Sequence, residues 1–138
     1  MPKFRKLKSS DKKDIEKLFI QLVGEKVKIS IKSLIRDKSA NCIVLEDEKK
    51  VVGFGALIVH QVPSEGYVAR VEDVIISDTE RGKGYGRKIM EELIKIAKKK
   101  KVKKINLTSN PKRVEARNLY SSMGFEIYDT GVFRMKIE

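Results

Sequence analysis

Apolar positions recur along this chain with two different periods, and the changes of period mark out its elements. A first strand is predicted over 4–7. Ile15, Leu18, Phe19 and Leu22 then fall on one helical face, which predicts a helix over 11–23, capped by Ser9 or Ser10 and ended by Gly24. Val27, Ile31, Leu34 and Ile35 mark a second, shorter helix. Strands are expected over 41–45, 51–59 and 67–77, separated by the polar turn 46–50 and the loop 63–66. In the third, the run Val74-Ile75-Ile76 predicts burial on both faces. A helix follows over 84–100 with Ile89, Leu93, Ile96 and Ala97 inward, then a strand over 105–108. Asn110-Pro111 pairs a good N-cap with a good first helical residue, and Met123-Gly124 closes the helix it opens. Two last strands, over 125–128 and 132–137, flank Asp129-Thr130-Gly131.

The predicted order is β-α-α-β-β-β-α-β-α-β-β. Consecutive strands in the middle imply antiparallel hairpins, and the later strand-helix-strand unit implies a parallel pair. The fold class is therefore α/β with a mixed sheet (an α+β arrangement) and helices on both faces. A length of 138 residues fits one domain over 1–138.

Charge changes the picture more than composition does. Lys and Arg number 31 against 19 acids, a net charge of +12, which favours anionic partners: nucleic acid, an acidic membrane surface or a polyphosphate ligand. The longest run of like charge, over 98–101, sits where a helix should end, and cations there oppose the helix dipole. Only two glutamines occur, Gln21 and Gln61, in a chain rich in Lys and Glu, a composition that also suits a heat-stable surface. The single cysteine, Cys42, excludes an internal disulfide and reads as a small buried apolar residue. No metal-ligand spacing is found, and no metal is expected. His60, the one histidine, ends a strand and reads as an ordinary polar residue. The first residues carry no apolar h-region and no run nears the ~20 residues of a membrane span, so a cytoplasmic protein is expected.

Candidate chemistry concentrates in Arg81-Gly82-Lys83-Gly84-Tyr85-Gly86, between an apolar strand and an amphipathic helix. A dinucleotide fingerprint would need glycine at 87, where Arg87 stands, and no G-x-x-x-x-G-K-[ST] string occurs. What remains is a glycine-rich turn running into a helix start, whose unpaired N–H groups and dipole favour an anion. Arg81, Lys83 and Arg87 add positive charge. From the loop alone, a plain turn and a pyrophosphate cradle both stay open.

Context decides between them. The loop follows Val71-Glu72-Asp73-Val74-Ile75-Ile76, and about thirty residues further comes Ala116-Arg117-Asn118-Leu119-Tyr120-Ser121-Ser122-Met123-Gly124-Phe125. These two ordered motifs resemble those of the GNAT superfamily of acetyl-CoA-dependent N-acetyltransferases, over about 67–133. The string over 107–113 and the ending over 129–134 look like a general prokaryotic branch with undefined acceptors.

The resemblance implies a donor, acetyl-CoA, and an amine acceptor in a small molecule or protein. It implies that Val74, Ile75 and Ile76 pair with the pantetheine arm. The amides of Gly82, Lys83, Gly84, Tyr85, Gly86 and Arg87, with Arg81, take the pyrophosphate. Arg117 and Asn118 match positions that contact the coenzyme. Arg113 stands where the family often has asparagine, and the nearest, Asn110, is carried over instead. Tyr120 matches the general acid, which protonates the leaving thiolate. Glu72 is the candidate base, with strand alternation placing Arg70, Glu72 and Val74 on one face and Val71, Asp73 and Ile75 on the other. A structural carboxylate paired with Arg70 is the competing reading of Glu72. The alternative function is a coenzyme-binding or basic nucleic-acid or protein-interaction module on the same fold. Few aromatics and no helix-turn-helix spacing weigh against nucleic acid. No membrane partner is expected, and a homodimer is an open expectation.

Overall fold

The structure, a computed structural model, describes residues 2–138. The chain divides into two compact units, the first ending at Leu107 and the second being Thr108–Glu138.

The first unit contains β1 (Lys3–Lys6), α1 (Lys12–Val23), α2 (Ile31–Arg36), β2 (Ala40–Asp47), β3 (Lys50–Val62), β4 (Gly66–Ile76), α3 (Tyr85–Lys99) and β5 (Ile105–Asn106). Their sheet runs in the order β1-β2-β3-β4-β5, antiparallel from β1 to β4 and parallel between β4 and β5. The mixed sheet expected from element order is therefore present. Short polar turns make the hairpins, and the α3 crossover makes the parallel pair.

Each helix lies where its apolar stripe finds the sheet. Ile15, Leu18 and Phe19 of α1 and Ile31 of α2 join Val44, Phe54 and Ala56 in one buried cluster. The Phe19 and Phe54 rings meet edge to face at 5.2 Å. On the other sheet face α3 buries Ile89, Met90, Leu93 and Ala97. It comes so close to β3 that a Cβ added at Gly55 would lie 2.7 Å from Ile89 Cγ2. Only glycine admits that approach.

Several boundaries depart from expectation. The turn expected over 46–50 narrows to Glu48 and Lys49, at φ 49° and 66°. Two left-handed residues give the twist a tight hairpin needs, so β2 and β3 both lengthen. The strand expected over 105–108 is only Ile105–Asn106. Neither serine caps α1 through its side chain. Ser9–Asp11 form a 3-10 turn, and Asp11 accepts the Lys8 N–H at 2.8 Å.

Face alternation in β4 is also corrected. Ala56 faces Glu72 and Phe54 faces Ile75, so Asp73 and Val74 together oppose Gly55, and Asp73 takes φ 53°. This β-bulge inserts one residue and inverts the alternation after it. Val74 therefore joins the α3 face, with its Cγ2 3.6 Å from a Cβ built on Gly55. Ile75 packs on the α1–α2 cluster.

At the other end of the unit, Arg5 grips Asp11 with two hydrogen bonds, of 2.9 and 2.8 Å, and donates from Nε to Glu46 at 2.9 Å. Asp11 is 5% exposed. Its hydrogen bonds from Arg5 hold its carboxyl below the ordinary value, against an opposing burial effect. A group with a depressed folded pKa stabilises the fold above its unfolded value, near 3.9, and loses that contribution as pH falls through the folded value. Replacing Asp11 with asparagine should leave the Arg5 charge without its nearest counterion, at a cost of about 2 kcal/mol. Urea unfolding at pH 7 should show this loss, and the gap from wild type should narrow as pH falls below the unfolded value and through the lower folded one.

The second unit holds α4 (Val114–Ser122). The helix starts three residues later than its asparagine-proline signal implies. Asn110 instead organises a turn: its side chain accepts the Lys112 N–H at 2.9 Å and its carbonyl the Arg113 N–H at 2.9 Å. This local hydrogen bonding competes with helix formation. The strands expected over 125–128 and 132–137 are absent among the described residues. Alternation there remains in sequence only, because no ladder forms: Ile127, Tyr128, Val132, Phe133, Met135 and Ile137 are 71–100% exposed. A strand pattern needs a hydrogen-bonded neighbour before it makes a strand.

Candidate functional site

The end of β4 and the start of α3 are joined by a 3-10 turn, Asp78–Glu80, and the glycine loop. Gly84 is the N-cap of α3 and makes no side-chain cap, so the first helical N–H groups have no side-chain acceptor from it. Gly82 and Gly84 hold φ 80° and 78°, and a Cβ built on either meets nothing within 4 Å. Glycine is required here by backbone conformation, and the space beside both is open. Arg81 pairs with Asp78 at 2.7 Å and Lys83 with Glu80 at 3.1 Å, bracing both ends of the turn. The Glu80 hydrogen bond raises the Lys83 pKa. Tyr85 is buried, with Lys88 Nζ 5.7 Å from its ring centre, so only its main chain can serve a ligand at the loop.

Beside the loop, the edge of β4 beyond Arg70 has no strand partner among the described residues and is open within the first unit. Its parallel partner β5 reaches only Ala69 and Arg70. Up to the bulge, odd residues face β5: the Tyr67 carbonyl accepts the Lys103 N–H and the Ala69 N–H reaches the Lys104 carbonyl. After the bulge the Ser77 N–H bonds to the Val52 carbonyl of β3, so odd residues now face β3. Val74 and Ile76 consequently present their main-chain groups to the open edge, while those of Ile75 turn to β3.

Two carboxylates stand at the bulge. Glu72 accepts from Arg70 Nε at 3.1 Å, with both side chains about 40% exposed. Asp73 is exposed overall, yet protein packed on one side of its carboxyl raises the pKa, and the neighbouring Glu72 charge raises it further. Sequence reasoning missed this position. Its only trace is Gly55, the residue opposite, because strand glycines often accompany bulges. Gln21 was also missed: it donates from Nε2 to the Ile76 carbonyl at 2.8 Å and accepts the Asp78 N–H at 2.9 Å.

The remaining candidates belong to the second unit. Arg117 and Asn118 sit mid-helix on α4. Tyr120 is half-buried, its ring edge to face with Phe125 at 6.0 Å. Asn110 forms the turn described above. The Ser109 hydroxyl oxygen is buried with no hydrogen-bond partner among the described residues.

A groove of about 580 Å3 lies elsewhere, lined by Leu34, Ile35, Ile43 and Ile96 with Lys99 and Lys100. It is at the far end of α3 from the glycine loop and contains none of the candidate residues. Cys42 lines it, and burial, then the Asp37 and Asp73 charges, push its thiol up to about 11. Even allowing for the greater nucleophilicity of a basic thiolate, alkylation by iodoacetamide at pH 8 should run at least about tenfold slower than for a free cysteine. A rate equal to free cysteine would mark an ordinary, accessible thiol instead. Among the described residues, no group of three or more His, Cys, Asp or Glu could hold a metal ion. Among the described residues no helix is long and apolar enough to cross a membrane.

Comparison with known proteins decides the lineage of this strand, loop and helix. The Acetyltransferase (GNAT) family model matches residues 9–125. The chain belongs to the GNAT family. Probable glucosamine 6-phosphate N-acetyltransferase 2 of Oryza sativa subsp. japonica is 33% identical over 89 residues, 60% of this chain and 52% of that protein. The chain thus spans about half the length of that curated relative. A putative acetyltransferase from Agrobacterium tumefaciens superimposes with a TM-score of 0.87 at 19% identity, covering 97% of this chain and 99% of that one. Glucosamine-6-phosphate N-acetyltransferase from Arabidopsis thaliana gives 0.81 at 23%, covering 98% of each. An aminoglycoside N-acetyltransferase in complex with CoA gives 0.85 at 12%, covering 99% of this chain and 95% of that one. At these identities the superpositions establish the GNAT fold. The mixed sheet and the resemblance carried by the two motifs are both borne out.

Proposed function

We propose that the chain is an acetyl-CoA-dependent N-acetyltransferase, acting by direct attack of a primary amine of a small molecule or protein. The observation that carries this reading is the open glycine loop at the α3 N-terminus beside the unpaired edge of β4. Both features fit coenzyme A: the loop amides suit a pyrophosphate, and the Val74 and Ile76 main chains suit the amides of a pantetheine arm. Bound acetyl-CoA supplies the thioester. Arg81, Lys83 and Arg87 supply positive charge around the loop. Arg117, Asn118 and Asn110 are assigned to the coenzyme from the family motif. Tyr120 is assigned the proton that the departing sulfur takes up.

For the acceptor's proton there are two carboxylates. Glu72 is braced by Arg70, whereas the Asp73 pKa is raised by burial and by the Glu72 charge, the direction in which a base must move. Asp73 therefore joins Glu72 as a candidate, acting directly or through water. The composition fits a single domain working in the reducing cytoplasm, alone or as a homodimer.

Thermal unfolding with and without saturating CoA tests the donor, since a ligand bound only by the folded state raises Tm. An upward shift is expected, and no shift would overturn the reading. An acceptor screen should follow with thiol release as its readout. It should cover free amines, N-terminal peptides and glucosamine 6-phosphate.

A further inference from the structure

We propose that Gln21 is a positioning residue for the coenzyme, whose amide ends the open edge of β4 and fixes the backbone from which the phosphate loop departs. The inference rests on the coenzyme reading above. Gln21 lies in the last turn of α1, far in sequence from the loop, and nothing in either family motif includes it. Its side chain nonetheless makes two hydrogen bonds to the main chain there, Nε2 to the Ile76 carbonyl at 2.8 Å and Oε1 from the Asp78 N–H at 2.9 Å. The amide orientation follows from the partners, since a carbonyl can only accept and a peptide N–H only donate.

The bulge decides which groups these are. After Asp73 it is the even residues whose main chain faces away from β3, so the Ile76 carbonyl and the Asp78 N–H are the next positions of an incoming strand's ladder. Gln21 occupies both, as the N–H and carbonyl of one residue in a parallel neighbouring strand would. An arm lying along β4 therefore has Val74 and the Ile76 N–H to pair with, and must leave the strand at Ile76. There the chain turns through Asp78–Glu80 into Arg81 and the glycines. Gln21 thus sets where strand pairing stops and phosphate binding begins.

A donor and an acceptor are both needed, which among side chains of this length only glutamine supplies at neutral pH. Methionine has its length and neither function. Glutamate keeps the acceptor for Asp78 and sets a carboxylate oxygen against the Ile76 carbonyl. The Asp78 end of the bridge is exposed, so water can satisfy these groups in a variant and the fold should lose little. What is lost is the fixed direction of the backbone.

The test measures CoA affinity by titration calorimetry, Tm, and acetyl-CoA KM and kcat for wild type, Gln21→Met and Gln21→Glu. The expected result is a CoA Kd and acetyl-CoA KM about tenfold higher in both variants, with kcat within about twofold and Tm within a few degrees of wild type. Wild-type binding with unchanged affinity in both variants would overturn the inference alone. Affinity lost only in proportion to a large fall in Tm would also overturn it, in favour of a scaffold role. A wild type that does not bind CoA would overturn the proposed function, and this inference with it.

Discussion

Replacing Gly84 with valine should weaken CoA binding by about a hundredfold while lowering Tm by only a few degrees. The two effects separate because of how Gly84 is placed. It holds φ 78° as the N-cap of α3, and a Cβ there would touch nothing. A β-branched residue in the left-handed region costs roughly 1–2 kcal/mol, and with no clash the loop relieves that strain by rotating. Rotation turns the neighbouring N–H groups away from a common point, and several weakened hydrogen bonds to a pyrophosphate together give the hundredfold loss. If the loop were only a turn linking strand to helix, the small fall in Tm would appear without any change in affinity. Calorimetric titration of CoA into both proteins distinguishes the two. Gly84→Ala should fall between them, since alanine tolerates positive φ better than valine does.

Tyr120→Phe should lower kcat by about a hundredfold and leave CoA affinity within about twofold. General acid catalysis contributes roughly 10²–10⁴-fold, and the phenol hydroxyl is the only group this change removes. The ring contact with Phe125 does not need the hydroxyl, and no hydrogen bond from it is needed to explain the helix, so stability should hardly move. Stopped-flow measurement of thiol release at saturating acetyl-CoA isolates the chemical step from binding. Unchanged turnover would remove Tyr120 from the mechanism and restore it to the helix packing.

The residues that were legible in advance are those whose local pattern and final environment agree. Ile15, Leu18 and Phe19 predicted the buried face of α1, and Gly24 predicted its end, because each signal concerns a single helix. The glycine loop was legible for the same reason: its positive φ values belong to the loop itself. Three features failed because they depend on a partner. The Asp73 bulge exists only relative to Gly55 on β3, so alternation along β4 misplaced Val74 and Ile75. Asn110 looked like a helix cap until its side chain took up a turn three residues before α4 begins. The segment after Gly124 alternates like a strand and has no ladder to join. Gln21 was invisible as anything but composition, since nothing in a helix periodicity says which strand end a polar side chain will reach.

The bulge at Asp73 also bears on how this strand can change length over time. An exposed acidic residue beside a strand register shift looks like the most dispensable position in β4. Its deletion would leave Glu72 opposite Ala56, Val74 opposite Gly55 and Ile75 opposite Phe54, so the ladder would straighten with every face kept. Val74 would stay on α3, Ile75 would stay on the α1–α2 cluster, and the Ile76 carbonyl that Gln21 holds would still face away from β3; what the deletion removes is the local bend of the strand. Removal of residue 73 should therefore be tolerated better than removal of Val74, Ile75 or Ile76, and in variants of this chain a change of length between Glu72 and Ile76 should fall at the bulge.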